Sequence, residues 1–178
     1  MRPPVDRPRL QQFLDELDRA ATGPGRVYLC GGATALLLGW RLSTVDVDLQ
    51  FDPEPRGVFE AIAHLKNRLN LNVEIAGPAD FVPPLPGWRD RCVLISTKRN
   101  IAFFHYDPYT QALSKLARGH DKDMRDVAAM VQASLVEPAT LLTLFMKAKG
   151  ALIRYPRLEP AHLEARVREW VDAAATSP

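Results

Sequence analysis

The sequence predicts an α+β fold, with strands and helices in its first part and a C-terminal helical bundle after them. Three observations lead to this prediction. Apolar and polar residues alternate over 45–51, as they do in a half-buried strand. A glycine pair and a short helix-forming run come shortly before that strand. From residue 107 onward, apolar residues recur at the spacing of amphipathic helices.

The chain has the length and composition of an ordinary globular protein. Its 178 residues are 47% hydrophobic and 25% charged, which fits one domain or a small α/β domain with a helical appendage. The net charge of +2 is too small to indicate nucleic acid by itself. No apolar run reaches ~18 residues, so no membrane helix is predicted. Cys30 and Cys92 lie in apolar runs, as buried thiols do, and we expect a cytoplasmic protein with no membrane partner.

The first two elements are a helix and a buried strand. Leu10, Phe13 and Leu17 share one face of a helix predicted over 8–21. A Thr-Gly-Pro-Gly run then ends the helix. The apolar residues 27–30, partly β-branched or aromatic, suit a buried strand.

A glycine turn and a short helix follow this strand. Gly31 and Gly32 allow the backbone to turn tightly and to approach a ligand closely. Residues 33–38 favour a helix, and Gly39 is a suitable C-cap. The backbone N–H groups and positive dipole end at the start of this helix suit a phosphate group.

Two carboxylates are predicted to share one face of the strand 45–51. Asp46 and Asp48 are two residues apart, so their side chains project about 6.5 Å from each other on the polar face. At ~5 Å and an effective dielectric near 20, the two charges repel by about 3 kcal/mol. A bound cation removes that repulsion, and Mg²⁺ matches the oxygen ligands. A polar, solvated face of a half-buried strand gives the same alternation and stays open as an alternative.

A third carboxylate is predicted on a later strand. Apolar spacing favours a helix over 58–69, and residues 72–76 alternate as a strand with Glu74 on its polar face. If that strand pairs with 45–51, Glu74 can reach the same metal centre. Asp80 is a rival for this position, and an exposed edge residue is the alternative for Glu74.

The next segment combines a proline-rich stretch with a hairpin. Residues 81–88 contain three prolines, which exclude a central strand. Residues 92–96 and 101–106 are predicted to pair as a hairpin, with the basic residues 98–100 at its tip.

Four helices are predicted after the hairpin. The first starts at Asp107 and Pro108 and ends at Gly119, and the second is capped by Asp121. The third starts at Glu137 and Pro138. The last has Leu163, Val167 and Trp170 on its apolar face.

The glycine pair, the short helix and the Asp-x-Asp strand together resemble the signature of the nucleotidyltransferase (polymerase β-like) superfamily. Gly31-Gly-Ala, Leu-Gly-Trp-Arg41 and Thr44-Val-Asp-Val-Asp-Leu49 are most similar to the minimal AbiEii/MenT-like nucleotidyltransferases of bacterial toxin–antitoxin systems. The resemblance implies a nucleotidyltransferase-like mixed β-sheet core with flanking helices over 1–107. It also implies a C-terminal helical region over 108–178 that packs on this core.

A second stretch also resembles the AbiEii/MenT-like group. In residues 113–126 a Lys-Leu element precedes a basic residue and an Asp-x-x-Asp on the next helix. The resemblance implies that Lys115 approaches the nucleotide and that Asp123 supports the active site. A lysine can offset charge on a transferring phosphoryl group. The alternative is a Lys115–Asp123 salt bridge that ties two helices together, worth about 0–1 kcal/mol if exposed.

The resemblance implies an enzyme that transfers a nucleotidyl group from a nucleoside triphosphate to an acceptor hydroxyl with Mg²⁺. The 3′ end of tRNA is a candidate acceptor, a toxin is the candidate role, and a cognate antitoxin protein is a candidate partner. The predicted site residues are Asp46, Asp48 and Glu74 as metal ligands and catalytic groups, Lys115 as a catalytic and nucleotide-binding group, and Gly31, Gly32, Thr34 and Asp123 at the nucleotide. The alternative is a catalytically inactive module or antitoxin that binds nucleotide, RNA or a partner protein.

Overall fold

A computed structural model describes residues 2–176 of the chain, and in this range it contains seven α-helices and five strands. The helices are α1 (Arg7–Ala20), α2 (Gly31–Leu38), α3 (Val58–Arg68), α4 (Pro108–Arg118), α5 (Asp121–Gln132), α6 (Pro138–Ala148) and α7 (Pro160–Thr176). The strands are β1 (Gly25–Cys30), β2 (Asp46–Phe51), β3 (Asn72–Ile75), β4 (Val93–Thr97) and β5 (Ile101–His105). The short segments Pro78–Asp80, Trp88–Arg91 and Lys149–Arg154 form 3-10 turns.

The strands form one mixed sheet in the order β3-β2-β1-β5-β4. β1 pairs antiparallel with β2 and parallel with β5, β3 runs parallel to β2, and β4 runs antiparallel to β5. This arrangement confirms the predicted α+β class and its mixed sheet. The positions of the elements also agree with the sequence-based spans to within a few residues.

Contacts divide the chain into two compact units. The first contains the described residues before Pro78 together with Cys92–Tyr106, and the second contains Pro78–Arg91 together with the described residues from Asp107 onward. The proline-rich segment therefore belongs to the second unit, whereas the sequence-based division at 107/108 groups it with the first.

The core of the first unit lies between the sheet and its helices. Leu10, Phe13 and Leu17 of α1 are fully buried, as their helical spacing predicts. Val47 and Leu49 of β2 are fully buried in the same cluster. Burial of these side chains fixes which face of β2 is turned inward, and hence which side chains lie on its other face.

The turn between β4 and β5 is held by a buried carboxylate of α1. Asp18 is 4% exposed and accepts hydrogen bonds from the backbone N–H groups of Arg99 (3.2 Å), Asn100 (2.8 Å) and Ile101 (2.8 Å). The tip of the hairpin therefore has a fixed conformation, because its backbone donors are satisfied by one side chain.

Two helices of the second unit, α4 and α6, begin at side-chain caps. Asp107 is fully buried and accepts from the backbone N–H groups of Tyr109 and Thr110, both at 3.2 Å. It also accepts from Nε and Nη2 of Arg91, at 2.9 and 2.8 Å. Glu137 caps α6 in the same way, through Ala139 and Thr140. Both caps confirm the helix starts predicted from the sequence.

One predicted cap is wrong by one residue. The N-cap of α5 is His120, whose side chain makes no capping hydrogen bond, and Asp121 is the first residue of the helix. An acidic residue in the first turn still interacts favourably with the helix dipole, which explains why it marks the start without being the cap. Among residues 2–176, no helix has the length and apolar character needed to cross a membrane.

Candidate active site

The turn between β1 and α2 brings a carboxylate against the backbone. Gly31 has φ of +54°, a conformation that residues with a side chain rarely adopt. A Cβ at Gly31 would lie 2.7 Å from Asp48 Oδ2, and a Cβ at Gly32 would overlap the Thr44 hydroxyl. The two glycines are therefore required at this turn, and they allow the Asp48 carboxylate to lie beside the start of α2.

Thr44 holds the entry to β2 in place. Its backbone exchanges two hydrogen bonds with Val5, at 2.7 and 2.9 Å, and its hydroxyl donates to the carbonyl of Asp46 at 2.9 Å. Thr44 is 6% exposed. It fixes the backbone two residues before the first carboxylate, so the orientation of Asp46 does not depend on a free loop.

The structure confirms the predicted alternation of β2. Val47 and Leu49 are fully buried, whereas Asp46, Asp48 and Gln50 are partly exposed on the other face. On the other side of the glycine turn, Cys30 at the end of β1 pairs with Asp48 in the sheet register. The Asp-x-Asp pair and the glycine turn are thus adjacent through strand pairing.

Strand pairing also brings Glu74 beside the aspartates. β3 runs parallel to β2, with Asp46 opposite Asn72 and Asp48 opposite Glu74. Strands paired in this way lie ~4.8 Å apart, so side chains at matched positions are neighbours on one face. The condition on which the prediction for Glu74 depended, that its strand pairs with the first carboxylate strand, is confirmed.

Asn72 is a site residue that the sequence analysis did not single out. Its side-chain amide donates to Asp46 Oδ1 and lies 3.4 Å from Glu74 Oε1. One amide therefore links the first and third carboxylates. The signal was present in the sequence, because Asn72 and Glu74 alternate with Val73 just as Asp46 and Asp48 alternate with Val47.

The rival carboxylate, Asp80, belongs to the second unit. Asp80 ends a 3-10 turn in that unit. The pKa of Tyr155 is raised chiefly by burial, and the negative charge of Asp80 raises it further. Within the first unit, Glu74 is the carboxylate that pairs with the Asp-x-Asp strand.

The donor set at β2 fits a magnesium ion through two carboxylates. Mg²⁺ is usually held by one or two carboxylates and completes its octahedron with water and substrate phosphates. Asp46 and Asp48 offer hard oxygen atoms at the partly exposed end of β2. Residues 2–176 contain no cluster of three His, Cys, Asp or Glu side chains close enough to hold a metal together, and metal binding by Asp46, Asp48 and Glu74 stays a prediction.

Thr34 lies inside the first unit, not at a surface that a nucleotide can reach. It is 2% exposed, and its hydroxyl donates to the carbonyl of Leu29 at 2.9 Å. His105 Nδ1 lies 3.2 Å from the same hydroxyl. Burial lowers the pKa of His105 to about 4, so the imidazole is neutral at pH 7 and can donate from Nδ1 to the threonine. This geometry favours a role for Thr34 in joining α2 to the sheet.

Lys115 and Asp123 meet in the second unit within a neutral cluster. Lys115 Nζ lies 2.6 Å from Asp126 Oδ2 and 3.5 Å from Asp123 Oδ1, and all three side chains are almost completely buried. Arg118 Nη2 contacts Asp123 Oδ1 at 2.7 Å. The salt bridge considered as an alternative is therefore present, with Asp126 as the closer partner. Contact of Lys115 with a nucleotide stays a prediction.

The fold and the β2 site together define a nucleotidyltransferase-like α+β protein. Residues 9–174 match the model of a family described as "Nucleotidyltransferase of unknown function (DUF6036)". The match spans most of the chain, and the protein belongs to this family. Comparison with curated proteins and with solved structures finds no match. The family confirms the nucleotidyltransferase resemblance, whereas the likeness to the AbiEii/MenT-like group stays a prediction.

Proposed function

We propose that the protein is a Mg²⁺-dependent nucleotidyltransferase that moves a nucleotidyl group from a nucleoside triphosphate to an acceptor hydroxyl. The observation that carries the proposal is the position of the Asp48 carboxylate against Gly31, with Asp46 on the same face of β2. The proposed phosphate site and the proposed pair of oxygen ligands are thereby neighbours. Membership of a nucleotidyltransferase family supports the same reaction class.

In this proposal the glycine turn binds the triphosphate. The N–H groups at the start of a helix point out of its end, and the helix dipole favours an anion there. Gly31 and Gly32 have no Cβ, so the backbone of the turn lies close against the Asp48 carboxylate and the Thr44 hydroxyl, and a phosphate bound there would lie beside the proposed metal ligands. Asp46 and Asp48 would hold Mg²⁺, which when bound neutralises charge on the phosphates and orients them.

Glu74 is the proposed proton acceptor. The acceptor hydroxyl oxygen forms a bond to the α-phosphorus, the bond from that phosphorus to the β-bridging oxygen breaks, and pyrophosphate leaves. The hydroxyl proton passes to the Glu74 carboxylate, which is exposed and lies opposite Asp48 in the sheet. Asn72 orients Asp46 and Glu74 through its amide. Little covalent chemistry is demanded of the protein, because phosphoryl transfer depends chiefly on positioning and charge.

The acceptor, the biological role and the cellular compartment are finer proposals. The AbiEii/MenT-like resemblance favours the 3′ end of tRNA as acceptor, a toxin as the role and a cognate antitoxin as partner. The free thiols of Cys30 and Cys92 favour the cytoplasm as the location. The second candidate is a nucleotide- or RNA-binding module without transfer. This second candidate is favoured by the ion pairs of Lys115, because its positive charge is matched by two buried carboxylates.

A transfer assay tests the proposal. Purified protein is incubated with Mg²⁺, each of the four α-labelled nucleoside triphosphates, and either total RNA, purified tRNA or protein. An Asp46→Asn/Asp48→Asn variant keeps the size of both side chains and removes their charge. Glu169→Gln, at an exposed position of α7, is the matched control.

The expected result is label on an acceptor with wild type and the control, and loss of at least 100-fold with the double variant. Label on tRNA supports the proposed acceptor, and label on protein retains the enzyme but changes its substrate. Folded wild-type protein that binds nucleotide and transfers no label would contradict the enzyme and favour the binding module.

A further inference from the structure

We propose that Arg41 binds the triphosphate oxygens at the glycine turn. The inference rests on the proposed function, since it names the side chain that pairs with the substrate at the same site. The family resemblance implies Lys115 as the cation of the reaction, and Arg41 has no role in it.

The position of the Arg41 guanidinium carries the inference. Arg41 Nη1 lies 3.6 Å from the point that a Cβ on Gly32 would occupy, and Asp48 Oδ2 lies 2.7 Å from the corresponding point on Gly31. The α-carbons of consecutive residues are ~3.8 Å apart. A cation and a proposed metal ligand therefore border the same two glycines, within the same unit.

The backbone after α2 explains how a residue beyond the helix reaches its first turn. The helix ends at Gly39, which has φ of +96° and reverses the chain direction. The N–H of Arg41 then bonds to the carbonyl of Ala35 at 3.3 Å. This contact holds the start of the Arg41 side chain against the middle of the helix, and the side chain is long enough to extend to Gly32.

The charge at the β2 site also favours this role for Arg41. Asp46, Asp48 and Glu74 place three carboxylates on one face of β2 and β3, and a triphosphate adds further negative charge. Arg41 is a cation that already lies at the glycine turn.

The chemistry of arginine also fits this ligand. The guanidinium stays charged at all physiological pH values, and its planar fork of N–H donors matches phosphate oxygens in pairs. Lysine at the same place would give a point charge without the fork. Replacement of Arg41 by lysine is therefore expected to retain only part of the binding.

Binding of inorganic tripolyphosphate with Mg²⁺ tests the inference without any contribution from a base or an acceptor. Isothermal titration compares wild type with Arg41→Ala, Arg41→Gln, Arg41→Lys and the control Arg99→Ala, which changes an exposed side chain of the same unit. Thermal unfolding verifies that each variant is folded. Arg41→Gln retains much of the length of the side chain and keeps the test available if Arg41→Ala is unstable.

The expected result is affinity at least tenfold weaker for Arg41→Ala and Arg41→Gln, an intermediate value for Arg41→Lys, and an unchanged value for Arg99→Ala. Wild-type affinity in a folded Arg41→Gln variant would overturn the inference and leave the proposed function intact. If folded wild type binds neither Mg²⁺-tripolyphosphate nor any of the four nucleoside triphosphates, the proposed function fails and this inference fails with it.

Discussion

Substitution of Gly31 by alanine is expected to destabilise the protein and to displace Asp48. Two terms act at this position. A residue with a Cβ at φ of +54° costs about 1–2 kcal/mol relative to glycine. The new Cβ would also lie 2.7 Å from Asp48 Oδ2, so the carboxylate must move away from the start of α2. We therefore expect a loss of at least ~1–2 kcal/mol in the free energy of unfolding and a large loss of nucleotide transfer.

Two other glycines separate these terms. Gly39 has φ of +96° with open space at its Cβ position, so Gly39→Ala meets the backbone strain alone, at about 1–2 kcal/mol. Gly150 has open space and no strained φ, so Gly150→Ala is expected to be neutral or stabilising by up to about 1 kcal/mol. Only Gly31→Ala is expected to reduce transfer beyond what its stability explains.

Urea unfolding followed by tryptophan fluorescence measures the stability, because the chain contains three tryptophans. The transfer assay described above measures the function of the same preparations. If Gly31→Ala is as stable as Gly150→Ala, the positive φ and the close approach to Asp48 do not constrain the turn. If Gly31→Ala loses no more transfer than Gly39→Ala, the position of Asp48 beside the turn is not needed for the reaction.

Three further predictions concern buried ionisable side chains. Asp18→Ala leaves three backbone donors of the hairpin turn without their acceptor and should cost about 2–4 kcal/mol in urea unfolding. The control Asp15→Ala removes an exposed partner of Lys98 and should cost about 0–1 kcal/mol. Equal values would contradict the role of Asp18. Lys115→Met leaves the Asp126 carboxylate buried without its closest cation and should cost about 3–5 kcal/mol in the free energy of unfolding. The double variant Lys115→Met/Asp126→Leu should recover part of that stability, and no recovery would contradict the pairing. Burial holds the pKa of His105 at about 4, against 6.5 in the unfolded chain. The unfolded state therefore takes up a proton at this histidine first as the pH falls. The free energy of unfolding should decrease by up to about 3 kcal/mol from pH 6.5 to pH 4. His105→Gln should remove that part of the pH dependence, and an unchanged profile would rule out His105 as its source.

The part of the site that the sequence predicts is the part that depends on local periodicity. Residues two apart on a strand share a face whatever the rest of the fold does, so Asp46 and Asp48 could be assigned together. The glycine turn is equally local, because its backbone conformation favours glycine at Gly31. These features lie within one continuous stretch and need no knowledge of which strands pair.

The features that sequence reasoning missed depend on contacts distant along the chain. Asn72 bridges two carboxylates only because β3 lies parallel to β2 in one particular register, and a shift of one residue would turn it to the other face. Helical spacing gave no indication of whether Thr34 faces the sheet or the solvent, because the residues around it in α2 are apolar on all sides. The Asp-x-x-Asp spacing placed Asp123 and Asp126 on one face, but only the packing of α4 on α5 makes Asp126 the closer partner of Lys115.

The position of the carboxylates within the sheet has a consequence for the proposed reaction. β2 is an interior strand, paired with β1 on one side and with β3 on the other, and Asp48 lies opposite Cys30 and Glu74. Its backbone is therefore held from both sides. In phosphoryl transfer most of the catalytic effect comes from groups that are already in position before the substrate binds. The proposed ligands lie on an interior strand, beside a turn where any residue larger than glycine would displace Asp48 or Thr44. Ligands held in this way meet that requirement better than ligands on a loop.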